Sequence, residues 1–113
     1  MKELFEKQEM TSLAMCMNTM QRRGYKENFL VDEQGLFSAD SGKHYLPRDA
    51  RIVDYYRFEG ETDPADSSIL YVIETQDGAK GLLSDSYGAY AEPKVSRFME
   101  ELEVSEKKRS KAI

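Results

Sequence analysis

Side chains that carry chemistry are scarce in this sequence. It contains one cysteine, Cys16, one histidine, His44, and no tryptophan. A single cysteine excludes an internal disulfide and a cysteine cluster for zinc or iron–sulfur binding, and it is typical of a reducing compartment. A single histidine excludes a His-rich metal site and a histidine pair for acid–base catalysis. We therefore expect a cytoplasmic protein with no metal site and no cofactor.

Catalytic and targeting motifs are also missing. No GxSxG, GxGxxG or GxxxxGK[ST] motif occurs, so a hydrolase elbow and the common nucleotide-binding loops lack support. Cys16 falls on the apolar side of a predicted helix, where it would act as a small hydrophobe rather than a thiolate nucleophile. No apolar run approaches the length of a signal peptide or a membrane span. We expect no membrane association and, on balance, no enzymatic activity.

Length and charge favour one acidic domain. The 113 residues fit a single domain, 1–113, in which roughly two-thirds of the unfolded surface is buried. We expect residues 1–10 to form a loose arm or an extra helical turn. The net charge is −5, but without the basic tail SEKKRSKAI (105–113) the chain has 12 basic and 20 acidic residues, a net charge of −8. Such a body repels phosphate backbones, so we expect no nucleic-acid partner, and the tail is interpreted as a solvated end.

Two segments show the i, i+3, i+4, i+7 spacing of an amphipathic helix. The first begins after Thr11 or Ser12, either of which can act as an N-cap, and ends at Gly24. The second covers about 94–104 and follows Pro93, which suits a first helical turn. The predicted buried residues are Leu13, Cys16, Met17 and Met20 in the first helix, and Val95, Phe98, Met99 and Leu102 in the second.

The remaining apolar runs predict β-strands. Residues 69–75 are rich in β-branched and aromatic residues and have two apolar faces, which indicates a central strand. Asp77-Gly78 and Gln34-Gly35 favour tight hairpin turns, and Pro47 limits the strand before it. The order of helix, strands in hairpin succession and helix predicts an α+β domain with two layers. We expect an antiparallel sheet of four to five strands with both helices packed on one face.

The loop from Glu59 to Asp66 is rich in acids and resembles a calcium-binding loop in its spacing. Alignment on such a loop places Pro64 where a glycine is needed and Leu70 where a bidentate carboxylate is needed. The sequence therefore predicts a solvated turn rather than a metal site.

The abundance of tyrosine suggests a surface for binding. The chain has seven tyrosines, and this side chain combines an apolar body with a polar tip, which suits either sheet packing or an interface. The candidate binding residues near the predicted strand ends are Tyr55, Arg57, Glu59, Asp85, Tyr87 and Tyr90.

Several motifs carry a resemblance to a known family. They are YRFEG (56–60), DSYGAYA (85–91) and the helix end Arg23-Gly24-Tyr25. Over most of residues 12–103 the chain resembles a family of small bacterial proteins whose members are often labelled phosphoribosylpyrophosphate synthetase. The resemblance carries no established activity. The acid pair of such a synthetase's sugar–phosphate loop is not matched, because Ile52-Val53-Asp54 is followed by Tyr55.

Two functions follow from these patterns. The first is a non-enzymatic cytoplasmic domain that acts through protein contacts, with a homodimer joined at a strand edge or along a tyrosine-rich surface. The alternative is a small-molecule or nucleotide-binding module, including the synthetase of the family label, which would need a pocket where the candidate residues converge.

Overall fold

The computed structural model describes residues 12–58, 67–86 and 91–111, which form two helices and six strands. The α+β class is therefore confirmed. In chain order the elements are α1 (Leu13–Arg22), β1 (Glu27–Asp32), β2 (Gly35–Ser38), β3 (His44–Tyr45), a 3₁₀ turn (Pro47–Asp49), β4 (Ala50–Phe58), β5 (Ser68–Thr75), β6 (Lys80–Ser86) and α2 (Pro93–Lys111).

Helix α1 begins and ends where its sequence predicts. The Ser12 hydroxyl accepts a hydrogen bond from the Met15 backbone N–H at 3.2 Å, which satisfies one of the donors that a helix start leaves open. At the other end Gly24 has a φ of +106°, a conformation that a side chain disfavours, and its N–H donates to the Gln21 carbonyl at 3.1 Å. The cap and the glycine together fix the helix to the predicted length.

Helix α2 is longer than predicted. Its four predicted core residues are buried, but the helical backbone runs from Pro93 to Lys111 and includes most of the segment predicted as a solvated tail. The sequence after Leu102 is rich in Glu, Lys and Arg, which have good helix propensity even without an apolar side to bury. Neither helix in the described part of the chain is both long and apolar enough to span a membrane.

The six strands form one mixed sheet in the order β3-β2-β1-β6-β5-β4. All neighbours are antiparallel except β1 and β6, which pair in parallel through Glu27 with Gly81 and Asn28 with Leu82. The prediction of a wholly antiparallel sheet with four to five strands is therefore wrong. Hairpin turns specify pairing between consecutive strands, whereas β1 and β6 come from distant parts of the chain and no local signal joins them.

The two predicted hairpin turns are confirmed. Gly35 and Gly78 have φ values of +122° and +91°, which glycine adopts without strain. Gly35 also lacks room for a side chain, since a Cβ there would lie 2.9 Å from the Tyr45 carbonyl oxygen. The β1–β2 turn is further held by a 2.8 Å hydrogen bond from the Gln34 N–H to the Asp32 carboxylate.

The helices pack on opposite sides of the sheet, so the prediction that both lie on one face is wrong. Strand β5 shows why, because its alternate residues are apolar on both sides and each side needs a cover. The α1-side core consists of Cys16, Met20, Leu70, Val72 and Leu82. The α2-side core consists of Phe29, Leu36, Tyr45, Ala50, Ile73, Leu83, Val95, Phe98, Met99 and Leu102.

Candidate functional site

Strand β4 is the outermost strand on its side of the sheet within the described residues. It has nine residues, whereas β3 on the other side has two. The side chains of Val53 and Tyr55 are 43% and 54% exposed. A long outer strand with exposed apolar side chains is the kind of edge at which another chain can add a strand. This strand is therefore the candidate site.

A β-bulge at Val53 changes which β4 side chains share a side of the sheet. Ile52 lies opposite Ile73 and Asp54 lies opposite Val72, so Val53 is an extra residue. Residues three apart in a regular strand project to opposite sides, but the extra residue brings Arg51 and Asp54 to the α1 side together. Their cross-strand neighbours, Glu74 and Val72, are two residues apart on β5 and confirm this placement.

Asp54 organises the polar groups just beyond the bulge. Its carboxylate accepts a hydrogen bond from the Tyr55 backbone N–H at 2.8 Å and another from the Tyr56 hydroxyl at 3.1 Å. Burial raises the pKa of Tyr56 to about 12, and the hydrogen bond to Asp54 and its negative charge act in the same direction. Tyr56 therefore stays protonated and serves as a donor that orients the carboxylate.

Arg51 belongs to a second polar group on the same side of the sheet. Its Nη2 lies 3.2 Å from Oε1 of Glu74, and the Tyr25 hydroxyl donates to Oε2 of Glu74 at 2.8 Å. Both contacts lower the pKa of Glu74, the Tyr25 hydrogen bond more than the Arg51 one. Lys80 completes the group, with its Nζ 5.7 Å from the centroid of the Tyr25 ring. Sequence reasoning missed this group because Tyr25 and Glu74 are 49 residues apart.

The structure brings three of the six candidate binding residues to one side of the sheet. Tyr55 and Arg57 on β4 and Asp85 on β6 all project to the α2 side, since Arg57 lies opposite Ile69 and Ile69 lies opposite Asp85. The other three candidates, Glu59, Tyr87 and Tyr90, lie outside the described residues.

Asp85 has a structural partner. Its two carboxylate oxygens lie 3.2 and 3.1 Å from the backbone nitrogen of Glu92, which donates to them, and Oδ1 also accepts from the Ser86 N–H at 2.8 Å. Glu92 directly precedes α2, so the carboxylate caps the positive end of that helix. Burial nevertheless raises the pKa of Asp85. The group that the sequence suggested for ligand binding therefore holds α2 in place.

Cys16 is a core residue, as predicted. It is fully buried, and this burial raises the pKa of its thiol to about 11, with the charge of Asp54 as a second cause. The thiol is therefore protonated near neutral pH and a poor nucleophile.

The predicted metal-free loop, 59–66, lies outside the described residues. In the part of the chain that the structure describes, no group of three or more His, Cys, Asp or Glu side chains is placed to hold a metal ion.

A groove of about 580 Å³ lies between the 3₁₀ turn and α2. Its apolar residues, Leu46, Pro47 and Val104, are accompanied by charges of both signs, Arg48 on one wall and Glu100 and Glu101 on the other. This mixture selects no class of ligand, and none of the three described candidate residues, Tyr55, Arg57 and Asp85, is among the residues that line the groove.

The described elements define a small α+β domain with a mixed sheet, helices on both sides and an exposed outer strand. Comparison with family models, curated proteins and solved structures finds no match. The resemblance to the family labelled phosphoribosylpyrophosphate synthetase therefore stays a prediction, and function must be inferred from the geometry of this chain.

Proposed function

We propose that the protein is a non-enzymatic cytoplasmic domain that acts through protein contacts, and that β4 makes these contacts by self-association. One observation carries this proposal: Val53 and Tyr55 are 43% and 54% exposed on a nine-residue outer strand. Strand addition supplies main-chain hydrogen bonds for affinity, and side chains beside the strand supply specificity. Tyrosine is enriched at such interfaces because it buries a large area at a low entropic cost.

Support for catalysis is weaker. The Cys16 thiol is buried in the core, and the Asp85 carboxylate caps α2, so neither group is presented to a substrate. The small-molecule alternative is weakened for the same reason, because Asp85, one of its candidate ligand-binding residues, is engaged with the Glu92 N–H. The acidic charge of the chain disfavours nucleic acid, and the single cysteine favours a reducing compartment.

Size-exclusion chromatography with light scattering tests the proposal. We expect the wild-type mass to rise toward that of a dimer at high micromolar concentration. Tyr55→Lys should stay monomeric, because it places a charge on the contact surface. Leu30→Lys is the matched control: Leu30 is 49% exposed but lies on β1, an inner strand, so this variant should dimerise like the wild type. A wild-type chain that is strictly monomeric at high micromolar concentration contradicts the proposal.

A further inference from the structure

We propose that two copies pair their β4 strands in antiparallel fashion, with Arg51 of each copy opposite Asp54 of the other. A twofold axis perpendicular to the sheet then passes between Ile52 and Val53 and extends the six-stranded sheet of one copy into that of the next. The inference rests on the proposed function and adds the register in which the two copies meet.

The first argument is the side of the sheet on which each residue lies. A perpendicular twofold axis keeps the α1 sides of both copies together, so residues opposite each other must share a side. Because of the bulge, Arg51 and Asp54 both project to the α1 side, and Ala50 and Tyr55 both project to the α2 side. The register therefore matches sides on both flanks of the axis, and a regular strand could not achieve this.

The second argument is charge. The proposed register places two pairs of opposite charges across the interface, and cross-strand pairs of this kind stabilise a sheet. If the twofold axis passes through Arg51 or Arg57 instead, residues opposite each other also lie on the same side of the sheet. Such a register places two copies of the same arginine opposite each other, and their positive charges repel. A register centred on Tyr56 matches sides as well and places Asp54 opposite Phe58, which offers the carboxylate no partner. Of these registers, only the one that pairs Arg51 with Asp54 places opposite charges across the interface.

The third argument is space. Arg51 is 65% exposed, and its guanidinium has five N–H donors, so it can contact Asp54 of another copy without giving up Glu74. In the same register Tyr55 lies opposite Ala50, whose short side chain is buried in the α2-side core of its own copy. The charged pair therefore forms without loss of the contact between Arg51 and Glu74.

Exchange of the two charges tests the register. Arg51→Glu and Asp54→Arg each place like charges opposite each other at both contacts, so we expect each variant to raise the dimer Kd about tenfold or more. In an equimolar mixture of the two variants both contacts pair opposite charges, and a mixed dimer should form with near wild-type Kd. The double variant Arg51→Glu/Asp54→Arg should dimerise by itself for the same reason. Native mass spectrometry separates the species, because the two chains differ in mass.

The outcomes distinguish the register from the function. Recovery in the mixture and in the double variant supports the register. A wild-type dimer that neither single substitution weakens, or a folded double variant that is monomeric, overturns the register and leaves the proposed function standing. A monomeric wild type overturns both. Thermal melts identify any single variant that fails to fold, and the double variant then decides.

Discussion

The two halves of the sheet are built differently. Strands β4, β5 and β6 have nine, eight and seven residues and have apolar residues on both sides, so α1 covers one side and α2 the other. Strands β1, β2 and β3 have six, four and two residues. Of these three, Phe29, Leu36 and Tyr45 enter the α2-side core, but none of their residues enters the α1-side core.

This difference assigns different roles to the two helices. Helix α1 packs on the half formed by β4, β5 and β6. Helix α2 packs on residues of both halves and therefore holds them together. Other links between the halves include the short parallel contact of β1 with β6, a hydrogen bond from Tyr45 to Asp77, an ion pair of Lys43 with Asp77 and the hydrogen bond from Tyr25 to Glu74. Three substitutions test these links in order of their expected effect.

The largest effect is expected from Leu102→Ala. Leu102 is fully buried in the α2-side core, and truncation of such a leucine costs roughly 2–5 kcal/mol, a fall in Tm of about 10–20 °C for a domain of this size. Hydrogen exchange should show that β1–β3 and β4–β6 both lose protection. Val104→Ala on the same helix is the control, since Val104 is 53% exposed. Loss of protection in β4–β6 alone would show that α2 does not join the halves.

Gly81→Ala should have a smaller effect, confined to the parallel contact. A Cβ at this position would overlap the Glu27 carbonyl oxygen and lie 2.7 Å from a ring carbon of Phe29, so β1 must move away. We expect a cost of about 2 kcal/mol, measured by denaturant unfolding, with β1–β3 losing more protection from hydrogen exchange than β4–β6. Ser84→Ala, an exposed position on the same strand, should leave stability nearly unchanged. Equal stability of the two variants would mean that β1 and β6 do not approach this closely.

The smallest effect is expected from Asp77→Asn, through its pH dependence. Hydrogen bonds from Thr75 and then Tyr45 lower the pKa of Asp77 from 3.8 to about 2. Because folding lowers the pKa of Asp77, the ionised carboxylate stabilises the folded state. This stabilisation is complete above about pH 3.8 and is lost as the pH falls through about 2. Asp77→Asn should therefore have a lower Tm than the wild type at neutral pH, and the difference should shrink between about pH 4 and pH 2. The exposed Glu33→Gln serves as control, and a pH-independent difference for Asp77→Asn would contradict the assignment.

Much of the fold is predictable from local patterns. The helix spacing around Cys16 and Met20 and the glycines of the two hairpin turns each specify structure within a few residues. The opposite placement of the helices was also signalled, since Leu70 and Val72 alternate with Tyr71 and Ile73 on β5. The parallel pairing of β1 and β6 had no such signal, because Gly81 and Glu27 are far apart in the sequence and come into contact only in the folded chain.

The candidate site was predictable only in part. Tyr55 and Arg57 lie on the outer strand. The alternation of residues in this segment predicted that both project from the same side of a strand and that one side of the strand is partly exposed. The bulge at Val53 was not predictable, because the segment 51–58 reads as a regular strand and the extra residue is seen only against the register of β5. The role of Asp85 was missed for a related reason, since its partner, the Glu92 N–H, is seven residues away.

The position of α2 after all six strands has a consequence for synthesis of the chain. The ribosome makes every strand before this 19-residue helix, and at about 5–20 residues per second the helix takes roughly one to four seconds to complete. Until α2 has been made and has docked, the side of the sheet that carries Phe29, Leu36 and Ile73 lacks the cover that this helix gives it. During this interval a chaperone or another nascent chain can bind this surface, and docking of α2 ends the interval.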